Sequence, residues 1–206
     1  RVVAVHFEGG RCTSTIKKEM HCLIASSKEG FDVSFFPEQI KDSLFIKKSS
    51  VEGDANVVLN LLRRCLELEL AANLEGVVVL DGCLEAHHEE EIKIIDKLKE
   101  KSVCGLSKTS SLLFSEEGEY AALHKNTMFV ASPFTSENWF NVFLVKLHTN
   151  ANFVFRLDIP NTLNKQSLTN TLAFFSSDSS FLGYPYPLIK VDDLARISHE
   201  ELESQR

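Results

Sequence analysis

Four branched apolar residues in a row, Val77-Val78-Val79-Leu80, run straight into Asp81 and Gly82. A short apolar run without alternation, closed by turn residues, is the pattern of a strand covered on both faces. The expectation is a central strand with Asp81 at its C-terminal tip. That tip lies at the rim where open α/β sheets hold their ligands. Gly82 lets the backbone turn sharply beside it. A lone Asp in this place serves equally well as a cap for the turn. A functional reading of Asp81 therefore depends on other carboxylates converging on it.

The chain around this run reads as alternating elements. Val2–Phe7 is a strand that ends at Glu8-Gly9-Gly10, an acid at a strand tip followed by glycine, as at Asp81-Gly82. Met20–Ser26 and Phe31–Phe36 are two further strands, separated by the turn signal Lys28-Glu29-Gly30. Short connections suggest that the three form an antiparallel meander. Polar residues 37–53 read as a connection. Asp54 is a candidate N-cap for a helix running to about Asn73. On a helical wheel Val58, Leu61, Leu62, Cys65 and Ala72 share a face with Glu69, while Arg63, Arg64 and Glu67 lie opposite. Glu69 is thus expected to point inward, where it needs a cation, donors or a proton, or to reach water from the edge.

Further on, Glu89–Lys101 reads as a charged helix with Ile92, Ile95 and Leu98 inward, preceded by His87-His88. Adjacent histidines point in different directions, so a solvated helix start fits them better than a metal site. Val103–Leu106 is a strand that exits at Lys108, a residue placed either to bind phosphate or to neutralise nearby acids. Residues 110–133 read as an irregular insertion. Asn141–Leu147 and Asn152–Ile159 form a hairpin pattern, in which Lys146 and Arg156 require an outer face or an anionic ligand. Leu163–Phe174 is a helix. Gly183-Tyr184-Pro185-Tyr186-Pro187 is a rigid turn, and a last helix from Leu188 carries Asp192 and Asp193 near its first turns, where acids suit the dipole.

Composition narrows the class. The net charge of −7 over 206 residues excludes a broadly basic surface but not a local basic groove. Five Cys without CxxC spacing suggest reduced thiols in a cytoplasmic protein rather than disulfides or zinc. No run is long enough for a membrane helix.

The order strand, strand, strand, helix, strand, helix, strand is that of a ribonuclease-H-like α/β fold: a mixed sheet flanked by helices, here with inserted loop and hairpin elements in one domain spanning 1–206. Glu8, Glu69, Asp81 and Asp192 fall where metal-dependent nucleases of that fold carry their acids. Phosphodiester hydrolysis needs charge offset and an ionised water, and two divalent ions held by carboxylates supply both. Hard Mn²⁺ or Mg²⁺ prefers such oxygen ligands.

The sequence also resembles the NurA nuclease family. The resemblance is carried by Leu80-Asp81-Gly82 after a helix bearing Arg63, Arg64 and Glu67 or Glu69. Gly105-Leu106-Ser107-Lys108-Thr109, Lys146-Leu147, Arg156 and Gly183-Tyr184-Pro185-Tyr186-Pro187-Leu188-Ile189-Lys190-Val191-Asp192 complete it. It implies a homodimeric, Mn²⁺- or Mg²⁺-dependent nuclease that cuts single-stranded DNA, resects ends 5′ to 3′ and works with a HerA-type hexameric ATPase. It further implies that Asp81 and Asp192 ligate metal, and that Lys108 and Tyr184 act at the phosphate. The first strand departs from the family by ending in Glu8 where Asp is usual, and Glu67 competes with Glu69 as the second acid. Two rival readings follow: a non-catalytic subunit of the same fold that serves as a platform for the ATPase, and a ribonuclease-H-like enzyme acting on RNA or a recombination intermediate, separated by substrate competition because contacts to the 2′-OH distinguish RNA. A nucleotide-binding protein is disfavoured, since no Gly-rich phosphate loop is present.

Overall fold

The computed structural model describes residues 1–27, 30–36, 48–49, 55–109, 139–151, 153–177 and 183–204. The Asp54 cap, most of the 37–53 connection and the 110–133 insertion lie outside them. Strands β1 (Val2–Glu8) and β2 (Arg11–Lys18) form one antiparallel hairpin; β3 (His21–Ser27) and β4 (Gly30–Phe36) form another, which β5 (Lys48–Ser49) joins. Then come α1 (Ala55–Ala72), β6 (Val78–Asp81), α2 (Glu89–Leu98), β7 (Val103–Ser107), β8 (Phe140–Val145) and β9 (Phe155–Pro160). Helices α3 (Lys165–Ser177), α4 (Tyr186–Ala195) and α5 (His199–Ser204) follow.

The N-terminal third differs from the expected three-stranded meander, because two hairpins replace it and β2 is an additional strand. Gly9 and Gly10 have φ of 56° and 79°. Two consecutive residues with positive φ make the tight two-residue turn whose twist suits a hairpin, so Glu8 pairs directly with Arg11. Strand β2 (Arg-Cys-Thr-Ser-Thr-Ile-Lys-Lys) is mostly solvent-facing and carries no apolar alternation to betray it.

The sheet that organises the chain has the order β6-β7-β9-β8, with β6 and β7 parallel and the rest antiparallel. Alternation sorts its side chains cleanly. Leu80, Val103, Phe140 and Val142 join α1 and α2 in one core. Cys104, Leu106, Phe143, Val145, Phe155, Leu157 and Ile159 join Leu168, Leu172, Tyr184 and Leu188 in another. Both faces of β6 are therefore covered, as its apolar run requires. It is nevertheless an edge strand among the described residues, not a central one, because a run of valines reports covered faces and not neighbours in the ladder.

Helix α1 is buried beyond one stripe, at Leu66, Leu68, Leu70 and Ala71 as well as Val58, Leu61, Leu62 and Cys65. It packs on α2, β1, β3 and β6. In α2 the inward set is Glu91, Ile94, Ile95 and Leu98, and Ile92 is 48% exposed, contrary to expectation. Glu91 is buried because its Oε2 accepts the His87 N–H at 3.0 Å, satisfying a donor just before the helix. Helix α4 begins at Tyr186 rather than Leu188 and ends at Ala195, so Asp192 and Asp193 lie in its last turn. There the macrodipole opposes them, and Arg196 accounts for their charge instead, 2.7 Å from Asp192 and 4.0 Å from Asp193. Among the described residues no helix is long and apolar enough to cross a membrane.

The turn after β6 folds back over β7. A Cβ on Gly105 would collide with the Gly82 carbonyl oxygen and lie 3.2 Å from the backbone of Cys83. We expect Gly105→Ala to cost about 1–3 kcal/mol, the usual range for forced overpacking, seen as a lower urea midpoint at unchanged slope.

Candidate active site

Asp81 has the parity of Val79, so its carboxylate emerges on the α3/α4 face of the sheet. Lys108 has the parity of Leu106 and leaves β7 on that same face. Two donors hold the Asp81 carboxylate. The Tyr184 hydroxyl donates to Oδ1 at 2.9 Å, and the Lys108 ammonium stands 3.1 Å from Oδ2. The ammonium also sits 4.5 Å from the centre of the Tyr184 ring, an arrangement favoured by the ring quadrupole. Tyr184 is only 3% exposed and packs on Phe155 with the rings tilted by 45° and their centres 5.4 Å apart. Burial, the charge and hydrogen bond of Asp81 and the charge of Asp192 all raise its phenol far above the ordinary tyrosine value. Tyr184 is thus a proton donor at neutral pH, and not a base.

Helix α1 brings Glu67 into this electrostatic neighbourhood. Burial raises the Glu67 carboxyl; Arg64 and Arg63 oppose that rise, and Asp81 adds to it. Its carboxylate is 3.8 Å from Arg63. Glu69 is half-buried one turn after Cys65, whose thiol is raised by burial first and then by the charges of Glu91, Glu90 and Glu69. The wheel assigned Glu67 the solvated side, but a helix wrapped by four elements offers no simple wet face. Asp192 is half exposed and paired to Arg196. Glu8 is exposed at the tip of β1, beside Phe7, whose ring meets Tyr186 at 6.1 Å. The arrangement thus gathers Asp81, Tyr184 and Lys108 in direct contact, with Glu67 and Asp192 acting on them through charge. No ion pair of Glu8 occurs among the described residues.

The donor chemistry around Tyr184 is all oxygen, which suits a hard divalent ion. The spacing does not. Among the described residues no three His, Cys, Asp or Glu side chains stand close enough together to hold a metal ion, and Lys108 occupies one oxygen of Asp81. His87 contacts Cys83 Sγ at 3.3 Å through Nε2. Cys12, Cys65, Cys83 and Cys104 are free thiols, and burial pushes Cys65 and Cys104 up to about 12.

On the opposite, α1/α2 face, a second set of charges holds the backbone that follows Asp81. Arg64 donates to the Cys83 carbonyl. Asp158 on β9 is wholly buried and accepts the Leu84 N–H at 2.7 Å and Arg156 Nε at 2.7 Å. Arg156 Nη2 reaches Glu85 at 2.7 Å. Arg156 therefore faces two carboxylates of the protein. Asp158 escaped sequence reading, although Arg156-x-Asp158 on one strand puts both side chains on one face.

The Arg156 hydrogen bond lowers the Glu85 carboxyl below its ordinary 4.5. A lowered folded-state value stabilises the fold above the unfolded value and loses that contribution as pH falls through the folded one. Glu85 is 37% exposed, so screening limits the effect to about 1 kcal/mol or less. We expect Glu85→Gln to be less stable than wild type at pH 7, with the gap closing as pH falls below about 4.5. Urea titrations at a series of pH values test this.

Residues 58–197 match the family model of the NurA domain, more than half of the chain. A search of the curated proteins finds no match. A search of solved structures matches the crystal structure of the NurA nuclease from Sulfolobus solfataricus, with a TM-score of 0.53 and 18% identity. The match covers 85% of this chain and 69% of that one. At that identity the likeness shows a shared fold, a mixed α/β arrangement consistent with the ribonuclease-H-like expectation. With the family model matched across α1, the Asp81 turn, the β8–β9 hairpin and the Tyr184 turn, the chain belongs to the NurA domain family.

Proposed function

We propose that this chain is a DNA nuclease that hydrolyses phosphodiester bonds at the Asp81 rim. The observation that carries the reading is the contact of Asp81 with Tyr184 and Lys108 at a strand tip, in a chain of a family with a nuclease of the same fold. Lys108 would offset charge on a phosphate oxygen, and Tyr184, kept protonated, would donate to that phosphate or hold Asp81 in one rotamer. Glu8, Asp192 and one of Glu67 and Glu69 complete the proposed acidic set. The charge felt between Glu67 and Asp81 favours Glu67. Dependence on Mn²⁺ or Mg²⁺, cutting of single strands, 5′-to-3′ resection of broken ends, homodimerisation and partnership with a HerA-type hexameric ATPase are proposed on family resemblance. So are a cytoplasmic location and a single domain over 1–206.

The alternative of a non-catalytic platform for the ATPase has one observation in its favour: both Asp81 oxygens are already engaged, by Tyr184 and by Lys108. Binding of Mn²⁺ separates the readings, because a platform has no need of it. The decisive assay is cleavage of end-labelled single-stranded and duplex DNA with Mn²⁺, Mg²⁺ or EDTA. We expect Asp81→Ala to lose about 100-fold or more, the scale seen when one transition-state partner is removed. Glu67→Gln should lose more activity than Glu69→Gln. An Asp81→Ala protein as active as wild type overturns the proposal.

A further inference from the structure

We propose that the buried Arg156–Asp158 pair positions Asp81 by clamping residues 82–85 from the α1/α2 face of the sheet; this rests on the nuclease reading above. Asp158 is 0% and Arg156 7% exposed. The retention of two charges inside a sheet core calls for an explanation, since apolar residues of similar volume are often as stabilising. The contacts point to one. Asp158 spends one oxygen on the Leu84 N–H at 2.7 Å, and Arg156 bridges Asp158 to Glu85. Leu84 and Glu85 are the third and fourth residues after Asp81. The segment between is held as well: Gly82 N–H donates to the Leu106 carbonyl at 3.0 Å, Arg64 donates to the Cys83 carbonyl, and Gly105 makes room for the Gly82 carbonyl.

Asp81 is thereby held from two sides. Its carboxylate is oriented on one face by Tyr184 and Lys108, and its backbone is registered from the other by a strand two places away in the sheet. Among the described residues β6 pairs with β7 alone, at the edge of its sheet. A buried carboxylate that accepts a backbone N–H outside the ladder supplies a restraint that is directional in a way an apolar contact is not. Arg156 and Asp158 are positioning residues, since neither touches Asp81.

The test uses the pair exchange Arg156→Met with Asp158→Leu, which leaves neither charge buried alone, and Asp158→Asn, whose amide oxygen still accepts from Leu84. Unfolding midpoints establish that each variant is folded. We expect the pair exchange to exchange its Leu84 amide proton faster than wild type. On single-stranded DNA its kcat should fall about 10- to 100-fold, the scale of a small misplacement of a reacting group, with KM nearly unchanged. Asp158→Asn should recover much of that loss. Added to Tyr184→Phe, the pair exchange should cost less than the product of the two separate effects, because both act through Asp81. A folded pair exchange with wild-type kcat, or with losses that simply multiply, overturns the proposal. If wild type cuts no DNA with any ion, the nuclease reading fails separately. The Leu84 amide then decides whether the clamp exists, and an unchanged exchange rate rejects it.

Discussion

The hydrogen bond from the Leu84 N–H to the buried Asp158 carboxylate joins the two halves of this chain. It ties the turn after β6 to β9, more than seventy residues later in sequence. Hydrogen bonds to a charged group contribute about 1.5–3 kcal/mol, and leaving such a carboxylate unpaired in the core costs about 3–5 kcal/mol. The turn can make that bond only because Gly105 has no side chain beneath the Gly82 carbonyl. Asp81, Gly82, Gly105 and Asp158 are therefore one structural unit drawn from three strands and the turn between them. The placement of Asp81 at the rim depends on all of its parts.

Electrostatics on the other face follow the same economy. Asp81 and Asp192 both act on one buried phenol, and each is met by a cation, Lys108 and Arg196 respectively. The exposed pairs contribute little to stability. Burial first, and then these two acids, keep Tyr184 protonated, while Lys108 keeps an ammonium beside the Asp81 carboxylate.

Much of this arrangement was legible before any coordinates. The unbroken run Val77–Leu80 announced a strand covered on both faces, and the Gly183–Pro187 turn announced a fixed approach to α4. Lys108 two residues beyond Leu106, and Tyr184 within its Pro-bounded turn, were recognisable from family resemblance. Strand β2 was not legible, because a solvent-facing strand has no apolar period. Glu67 is half-buried rather than fully solvated, because a wheel assumes one wet face and α1 has α2, β1, β3 and β6 around it. The dipole account of Asp192 failed because the helix starts two residues earlier, as Pro187 near its N-terminus allows, and stops at Ala195, which leaves Asp192 in the last turn.

Local chemistry by itself determined which segments extend, which coil and where the chain must turn, since apolar period, β-branching and glycine act over a few residues. It also determined the inventory of acids at strand ends. Only the tertiary structure decided that β6 lies at a sheet edge among the described residues, that Asp81 meets Tyr184 and Lys108, and that Arg156 answers to Asp158 and Glu85. Those outcomes depend on burial and on pairing between residues up to about a hundred positions apart. Distances of that kind are set by packing, and no periodicity in the chain encodes them.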